Sequence, residues 1–135
     1  MEEKIELKIR EARRFKRHAD IFKKWLLLEK KNHNICDIFL TNKEKKFAIY
    51  GYGQMGMLLM QDMLSQGIHL QYIIDKNADK IKCDLPIYKL EDAIPQIDIL
   101  IVTIEDVYPI AKNISQRFPN CEIIRIDDLV CYYDE

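Results

Sequence analysis

The sequence predicts an α/β fold, with a Rossmann-like parallel sheet of five strands in the order 3-2-1-4-5 and an N-terminal helical arm before it. Short apolar segments alternate with amphipathic helical segments from residue 46 onwards. The first apolar segment runs into a glycine-rich turn that opens a helix. Strands that alternate with helices are joined by right-handed crossovers, which place the strands parallel in one sheet. We therefore divide the chain into a helical arm, residues 1–45, and a Rossmann-like domain, residues 46–135.

Five segments have the apolar and β-branched composition of strands. The most strand-like of them is Ile97–Thr103, whose β-branched run suits the centre of a sheet that is covered on both faces. The five predicted strands are Phe47–Tyr50, Leu70–Ile74, Pro86–Tyr88, Ile97–Thr103 and Cys121–Ile126.

Helices of the domain are predicted where apolar residues recur three or four positions apart. Gly67 stands at the C′ position that ends the first of them, and Pro109 occupies the first turn of a later one, where proline is tolerated. The predicted helices are Gln54–Gln66, Leu90–Ile94, Tyr108–Phe118 and Asp127–Tyr133. The apolar face of the first is formed by Met55, Leu58, Leu59, Met63 and Leu64.

The arm is predicted to be one long helix, residues 4–30, followed by a short helix, Asn34–Leu40. Such a helix cannot bury its own apolar stripe, so it must lie on the domain, on a second copy of the chain or on a partner protein. We favour a homodimer or a partner-docking helix over attachment to a membrane, because acidic residues dilute its basic face. The predicted stripe consists of Ile5, Ala12, Phe15, Ala19, Phe22 and Leu26.

Charge divides the chain into two parts. Residues 1–46 contain 14 Lys and Arg against 8 Asp and Glu, whereas residues 47–135 contain 7 against 14. A basic arm and an acidic body attract each other. Nucleic-acid binding is not expected, because the acidic body would repel phosphate groups.

Length and composition exclude several other classes of protein. The 135 residues are enough for one domain, and no apolar run approaches the roughly 18 residues of a transmembrane span. The early glutamates are unlike a secretory signal, so a cytoplasmic location is expected. We expect reduced thiols and no metal site, because the cysteines lack metal-ligand spacing. They are Cys36, Cys83, Cys121 and Cys131.

The turn after the first strand carries the pattern G-x-G-x-x-G, formed by Gly51, Gly53 and Gly56. An acidic residue, Asp75, ends the next predicted strand nineteen positions beyond the last glycine. This context of strand, turn, helix and acid is typical of dinucleotide-binding sites. The first glycine permits the tight turn, the second lets a phosphate approach the main chain, and the third lets the helix pack closely. The helix N-terminus then offers unpaired N–H groups to an anion.

The acidic residue predicts which dinucleotide binds. Asp75 can accept hydrogen bonds from a ribose diol and would repel a 2′-phosphate, so NAD is favoured over NADP, although the neighbouring Lys76 weakens that preference. Tyr52, between two of the glycines, can hang over the phosphate site or stack on a base. The alternative interpretation is a glycine turn that serves only packing, beside an empty cleft.

Four stretches of the domain carry a resemblance. They are KFAIYGYGQMG (residues 46–56), YIIDKN (residues 72–77), the predicted strand Pro86–Tyr88 and DILIVT (residues 98–103). They resemble the small Rossmann-like domains of bacterial surface-polysaccharide enzymes, namely nucleotide-sugar dehydratase and epimerase relatives and the N-terminal domains of sugar O-acyltransferases. The resemblance implies NAD(P) or the UDP part of a sugar nucleotide as the ligand. It implies as binding positions Gly51, Gly53, Gln54, Met55, Gly56 and Asp75, with Thr103 lining the crevice.

Catalytic residues are not identified by the sequence. His18 and His33 fall in the arm and His69 precedes its strand, so no histidine base is expected near the carboxyl ends of the strands. Two Tyr-x-x-x-Lys matches, Tyr72/Lys76 and Tyr108/Lys112, are interpreted as coincidence. The acidic residues that follow the later strands are interpreted as helix caps rather than cation ligands. They are Glu105, Asp106, Asp127 and Asp128.

The leading hypothesis is therefore an NAD(P)-binding domain that acts in bacterial nucleotide-sugar or surface-polysaccharide metabolism. Hydride transfer needs a substrate pocket and an acid–base group, so catalysis is expected to require a partner chain or a second copy. The alternative is a non-catalytic module that binds a UDP-sugar or senses NAD(H) and signals through the arm. A third, purely structural interpretation keeps the fold and leaves the cleft without a ligand.

Overall fold

The computed structural model describes residues 2–104 and 108–133, with the side chains of all of these except residues 2–4 and 7. It contains one sheet of five parallel strands in the order β3-β2-β1-β4-β5, which confirms the predicted fold class and strand order. The strands are β1 (Phe47–Tyr50), β2 (Leu70–Ile74), β3 (Ile87–Tyr88), β4 (Ile99–Val102) and β5 (Glu122–Arg125).

The centre of the sheet is its most apolar part. β1 pairs with β2 on one side and with β4 on the other, with Tyr50 opposite both Ile74 and Val102. Every residue of β1 and of β4 is buried, as expected for strands that are covered on both faces. The later strands are one to three residues shorter than predicted.

Four α-helices surround the sheet: α1 (Glu2–Lys30), α2 (Gln54–Ser65), α3 (Ala111–Arg117) and α4 (Ile126–Tyr132). Gly67 ends α2 with a φ of +71°, which confirms its predicted C′ role. The buried face of α2 is Met55, Gly56, Leu59 and Met63, whereas Leu58 and Leu64 of the predicted face are exposed.

Three of the predicted helices differ from the structure. The segment Asn34–Leu40 is replaced by a 3₁₀ helix at Asp37–Asn42, and α3 is preceded by a 3₁₀ turn at Tyr108–Ile110. The helix predicted at Leu90–Ile94 is wrong, because that segment is a turn followed by irregular chain. There Asp92 Oδ2 accepts a hydrogen bond from the Lys89 N–H at 2.8 Å, a local side-chain bond that competes with helix formation.

The C-terminal half of α1 lies on the body of the protein, where it packs against α4. Ile21, Trp25 and Leu28 are buried residues of this half of the helix. The Trp25 indole N–H donates a hydrogen bond of 2.9 Å to Asp62 Oδ2 on α2. Of the three partners expected for α1, the body is therefore the one that the structure shows.

The predicted apolar stripe of α1 contacts the body only in part. Phe22 packs against the core, whereas Ile5, Phe15 and Leu26 are 58%, 75% and 52% exposed. The residues that contact the body instead include the chain's one tryptophan, a large aromatic side chain that is 4% exposed and donates its N–H to Asp62.

Both faces of the sheet are covered by apolar side chains. α1, α2 and α4 contribute to the core on one face, and α3 contributes to the core on the other. The Tyr133 hydroxyl, at the end of α4, accepts a hydrogen bond from the Ile38 N–H and donates one to the Ile35 carbonyl. All four cysteines are unpaired thiols, as predicted. Among the described residues, no helix has the length and the apolar content that crossing a bilayer requires.

The Asp62 carboxyl beside Trp25 gives a pH-dependent prediction. Burial raises the pKa of Asp62 above its ordinary value of 3.8, and the hydrogen bond from the indole offsets part of the rise. A carboxyl with a raised folded-state pKa stabilises the fold fully below the unfolded-state pKa, and this contribution is lost as pH rises through the folded-state pKa. We therefore expect Asp62→Asn to gain stability relative to the unsubstituted protein as pH rises from about 4 to 7.

Urea unfolding followed by the fluorescence of Trp25 measures this difference at each pH. The amide oxygen of the substituted residue can still accept the indole N–H, so the comparison isolates the charge. A difference that stays constant with pH, or that changes in the opposite direction, would contradict the role assigned to Asp62.

Candidate functional site

A cavity of about 1250 Å³ lies at the carboxyl ends of β1, β2 and β4. The chain proceeds from β1 outwards to β3 on one side and returns to β4 and β5 on the other, so the strand order reverses between β1 and β4. Ligands of open parallel sheets bind at this reversal. All nine predicted site residues line the cavity: Gly51, Tyr52, Gly53, Gln54, Met55, Gly56, Asp75, Lys76 and Thr103.

Gly51 makes the turn that leaves β1. Its φ is +103°, a conformation that side chains rarely adopt, and a Cβ there would lie 2.6 Å from Thr103 Oγ1. The Gly51 N–H donates to the Ile74 carbonyl at 2.7 Å, which holds the turn against β2. The backbone of the fold itself therefore requires glycine at this position.

Gly56 is also required by the fold. It lies in the first turn of α2, and a Cβ at this position would overlap the carbonyl oxygen of Gly51. Only a residue without a side chain lets the helix approach the preceding turn this closely.

Gly53 differs from the other two glycines of the motif. Its φ of −88° is open to any residue, and a Cβ placed on it would meet no atom within 4 Å. Gly53 is exposed and lines the cavity. Neither the backbone conformation nor the packing of the described residues requires glycine here, so what the glycine preserves is open space in the cleft.

The N-terminus of α2 opens into the same cavity through its first residues, Gln54 and Met55. Gly53 is the N-cap residue, and it has no side chain that could accept hydrogen bonds from the N–H groups of the first turn. The first N–H groups of a helix have no acceptor within the helix and carry its positive dipole end. This end of the helix can therefore hold an anion.

Asp75 serves the loop as well as the cleft. One carboxylate oxygen accepts the Tyr52 N–H at 2.8 Å, and the other accepts the Asn77 N–H at 2.8 Å. The half-buried carboxylate thereby ties the glycine loop to the end of β2. Each oxygen keeps a further lone pair, so the hydrogen bonds to a ribose diol expected of Asp75 are chemically compatible with this role.

Thr103 holds the loop from the other side. The residue is 7% exposed, and its hydroxyl lies 3.0 Å from both the Tyr50 and the Gly51 carbonyl oxygens. The Thr103 N–H also donates to the Tyr50 carbonyl at 2.9 Å. Thr103 lines the cavity, and its hydroxyl is occupied in fastening the end of β4 to the loop.

Two phenols stand at the cleft. Burial and the nearby Asp75 and Glu91 carboxylates raise the pKa of Tyr50. Burial is the main cause of a raised pKa of Tyr52, and a hydrogen bond with Cys83 is the second cause. Both hydroxyls therefore stay protonated near neutral pH and act as hydrogen-bonding groups rather than bases.

The wall of the cavity that α1 provides was not predicted from the sequence. The N-terminal half of this helix passes the mouth of the cleft, and its cavity-lining residues are mainly basic. His18, which was not expected near the site, is among the residues that line the cavity. The residues from α1 are Arg10, Glu11, Arg13, Arg14, Arg17 and His18.

The cause of this error is the orientation of α1. When Ile21 and Trp25 face the body, the residues 4, 7 and 11 positions before Ile21 face the same side, because a helix repeats every 3.6 residues. Those residues are Arg17, Arg14 and Arg10. The spacing of these arginines relative to Ile21 is visible in the sequence. The stripe with Phe15 and Leu26 was predicted as the contact face instead, and this orientation would place the arginines on the solvent side.

The two Tyr-x-x-x-Lys matches and the acidic residues after the later strands do not add catalytic groups to the cleft in the described part of the chain. Tyr72 is buried and donates its hydroxyl hydrogen to the Pro95 carbonyl, so it does not act with the exposed Lys76. Tyr108 of the second match is 91% exposed. Asp127 forms an ion pair of 3.0 Å with Arg125, whereas Glu105 and Asp106 lie outside the described residues.

No protein-family model, curated protein or solved structure matches this chain. The chemistry of the cleft therefore has to be inferred from the residues that line it. Within the described part of the chain, no three His, Cys, Asp or Glu side chains form a group that could hold a metal ion.

Proposed function

We propose that this protein binds a nucleotide that contains a diphosphate, with NAD(H) as the first candidate, in the cleft at the end of β1. The observation that supports this most directly is Gly53. The fold accounts for Gly51 and Gly56, whereas Gly53 meets no atom that would exclude a side chain. A phosphate that approaches the main chain at the N-terminus of α2 would explain why position 53 is a glycine.

The charge of the cavity also supports an anionic ligand. The cavity is lined by five Lys and Arg side chains and by two acidic ones, although residues 47–135 as a whole are acidic. A concave surface of one sign concentrates ligands of the opposite sign. The basic residues are Arg10, Arg13, Arg14, Arg17 and Lys76, and the acidic residues are Glu11 and Asp75.

NAD is favoured over NADP in this proposal. The Asp75 carboxylate would repel a 2′-phosphate, whereas its free lone pairs can accept hydrogen bonds from the 2′- and 3′-hydroxyls of a ribose. The cavity volume of about 1250 Å³ leaves room for a dinucleotide.

A UDP-sugar is the second candidate, because the same basic cavity suits any ligand with a diphosphate. The resemblance to domains of bacterial surface-polysaccharide enzymes leads us to propose a role in nucleotide-sugar metabolism for either ligand. In this role the chain is a binding module, and any hydride transfer requires a partner or a second copy. Self-association through the exposed stripe of α1 stays a prediction.

A titration of the purified chain with NAD⁺, NADH, NADPH and UDP-N-acetylglucosamine tests the proposal. A ligand at a hundred times its Kd should raise the free energy of unfolding by about 2.7 kcal/mol, which shifts the Tm by several degrees. We expect Gly53→Leu to fold normally and to weaken ligand binding at least tenfold, because the new side chain occupies the space above the loop.

Gly53→Ala is the matched control. Because it adds only one methyl group, its affinity for the ligand should lie between those of the unsubstituted chain and Gly53→Leu. Asp75→Ala is a poor test, because it removes the acceptor of the Tyr52 N–H and so disturbs the loop as well as the ligand contact. If no ligand shifts the Tm, or if Gly53→Leu binds as tightly as the unsubstituted chain, the cleft is not a nucleotide site and the structural interpretation takes its place.

A further inference from the structure

One face of α1 is directed towards the body along most of the helix. Its side chains are apolar in the C-terminal half and basic in the N-terminal half. Its C-terminal part consists of Ile21, Trp25 and Leu28, which are buried in the core. Its N-terminal part consists of Arg10, Arg14 and Arg17, which line the large cavity. The six residues follow each other at spacings of three and four, so they form one continuous face.

These arginines share the cavity with the glycine loop. Gly51, Gly53 and the first turn of α2 form one part of its lining, and the N-terminal half of α1 forms another. A ligand in this cavity therefore has main-chain N–H groups on one side and guanidinium groups on another. Guanidinium groups bind phosphate through paired, charge-assisted hydrogen bonds.

The apolar side chains that pack α1 against the body lie at residues 21–28, in its C-terminal half. A polyanion bound between the arginines and the glycine loop would add contacts between the N-terminal half of the helix and the rest of the protein.

We propose that α1 is a ligand-binding element, in which Arg10, Arg14 and Arg17 bind the phosphates of the nucleotide from the side opposite the glycine loop. This inference rests on the proposed function and assigns to α1 the side chains that bind the diphosphate of the ligand. Nucleosides carry no phosphate, so they cannot form these contacts with the arginines of α1. The basic arm of the sequence is thus one part of the anion site of an acidic body.

The test compares two double variants of the same helix with the same loss of charge. Arg10→Gln/Arg14→Gln removes two cavity-lining charges, and Lys8→Gln/Lys23→Gln removes two exposed charges that do not line the cavity. Calorimetric titrations use NADH, UDP-N-acetylglucosamine and inorganic pyrophosphate as probes. We expect at least tenfold weaker binding in the arginine variant and less than a twofold change in the lysine variant. Circular dichroism confirms equal helix content.

Each failure has a distinct result. If Gly53→Leu abolishes binding but the arginine variant binds as the unsubstituted chain does, the nucleotide site stands and the role of α1 is overturned. If both double variants weaken binding equally, only the total charge of the helix matters, which also overturns it. If the unsubstituted chain binds none of the three probes, both the proposed function and this inference fall.

Discussion

Replacement of Trp25 by alanine is expected to lower the free energy of unfolding by about 3–5 kcal/mol, the usual cost of removing a large buried aromatic side chain. Trp25 is 4% exposed and joins α1 to the core. The substitution leaves a cavity between α1 and α2 and removes the donor that contacts Asp62. Because the same helix carries the arginines of the cleft, the variant should also bind nucleotide more weakly.

Urea unfolding followed by circular dichroism measures this loss, since the variant has no tryptophan for fluorescence. Trp25→Phe is the matched control, because it keeps an aromatic ring in the core and removes only the indole N–H. We expect it to cost about 1–2 kcal/mol. A loss below about 1 kcal/mol for the alanine variant would show that α1 does not depend on this contact.

Gly56→Ala is expected to destabilise the protein by about 3 kcal/mol, at the upper end of the range for overpacked positions. The added methyl group would overlap the Gly51 carbonyl oxygen, which is backbone and is itself held by Thr103 Oγ1. The helix and the loop must therefore separate, and the hydrogen bonds that fasten the loop lengthen with them.

Thermal unfolding of Gly56→Ala and Gly53→Ala gives the comparison, since both add one methyl group to a glycine of the same motif. The Gly53 variant should stay within about 1 kcal/mol of the unsubstituted protein, because its Cβ meets no atom within 4 Å. Equal losses in the two variants would mean that the glycines of this motif are not distinguished by packing.

The sheet could be predicted from the sequence because its signals are local. The apolar segments ended by Gly51 and Asp75 and the β-branched run at Ile99–Val102 each identify a strand without reference to the rest of the chain. The alternation of strands with helices then leaves few topologies. The glycine loop and Asp75 were brought to one cavity as predicted, because strand ends meet at the same edge of a parallel sheet.

The position of α1 could not be predicted in the same way. The helix has two apolar faces, one with Phe15 and Leu26 and one with Ile21 and Trp25, and periodicity alone does not rank them. The second face contacts the body, where Ile21 and Trp25 are buried and the Trp25 indole N–H donates to Asp62, a residue far away in the sequence. The arginines of α1 line the cleft only when this second face contacts the body. Because the other face was predicted to make the contact, the arginines were not predicted as part of the cleft.

The glycine loop is fastened on both sides before any ligand arrives. Asp75 holds the Tyr52 N–H from the β2 side, and Thr103 holds the Gly51 carbonyl from the β4 side. Fixing the backbone of a free loop costs about 1–2 kcal/mol of conformational entropy for each residue. Here folding has already met that cost, so an incoming molecule loses mainly its own freedom and finds a preorganised surface. The two side chains thus make the loop a rigid receptor rather than one that closes around its ligand.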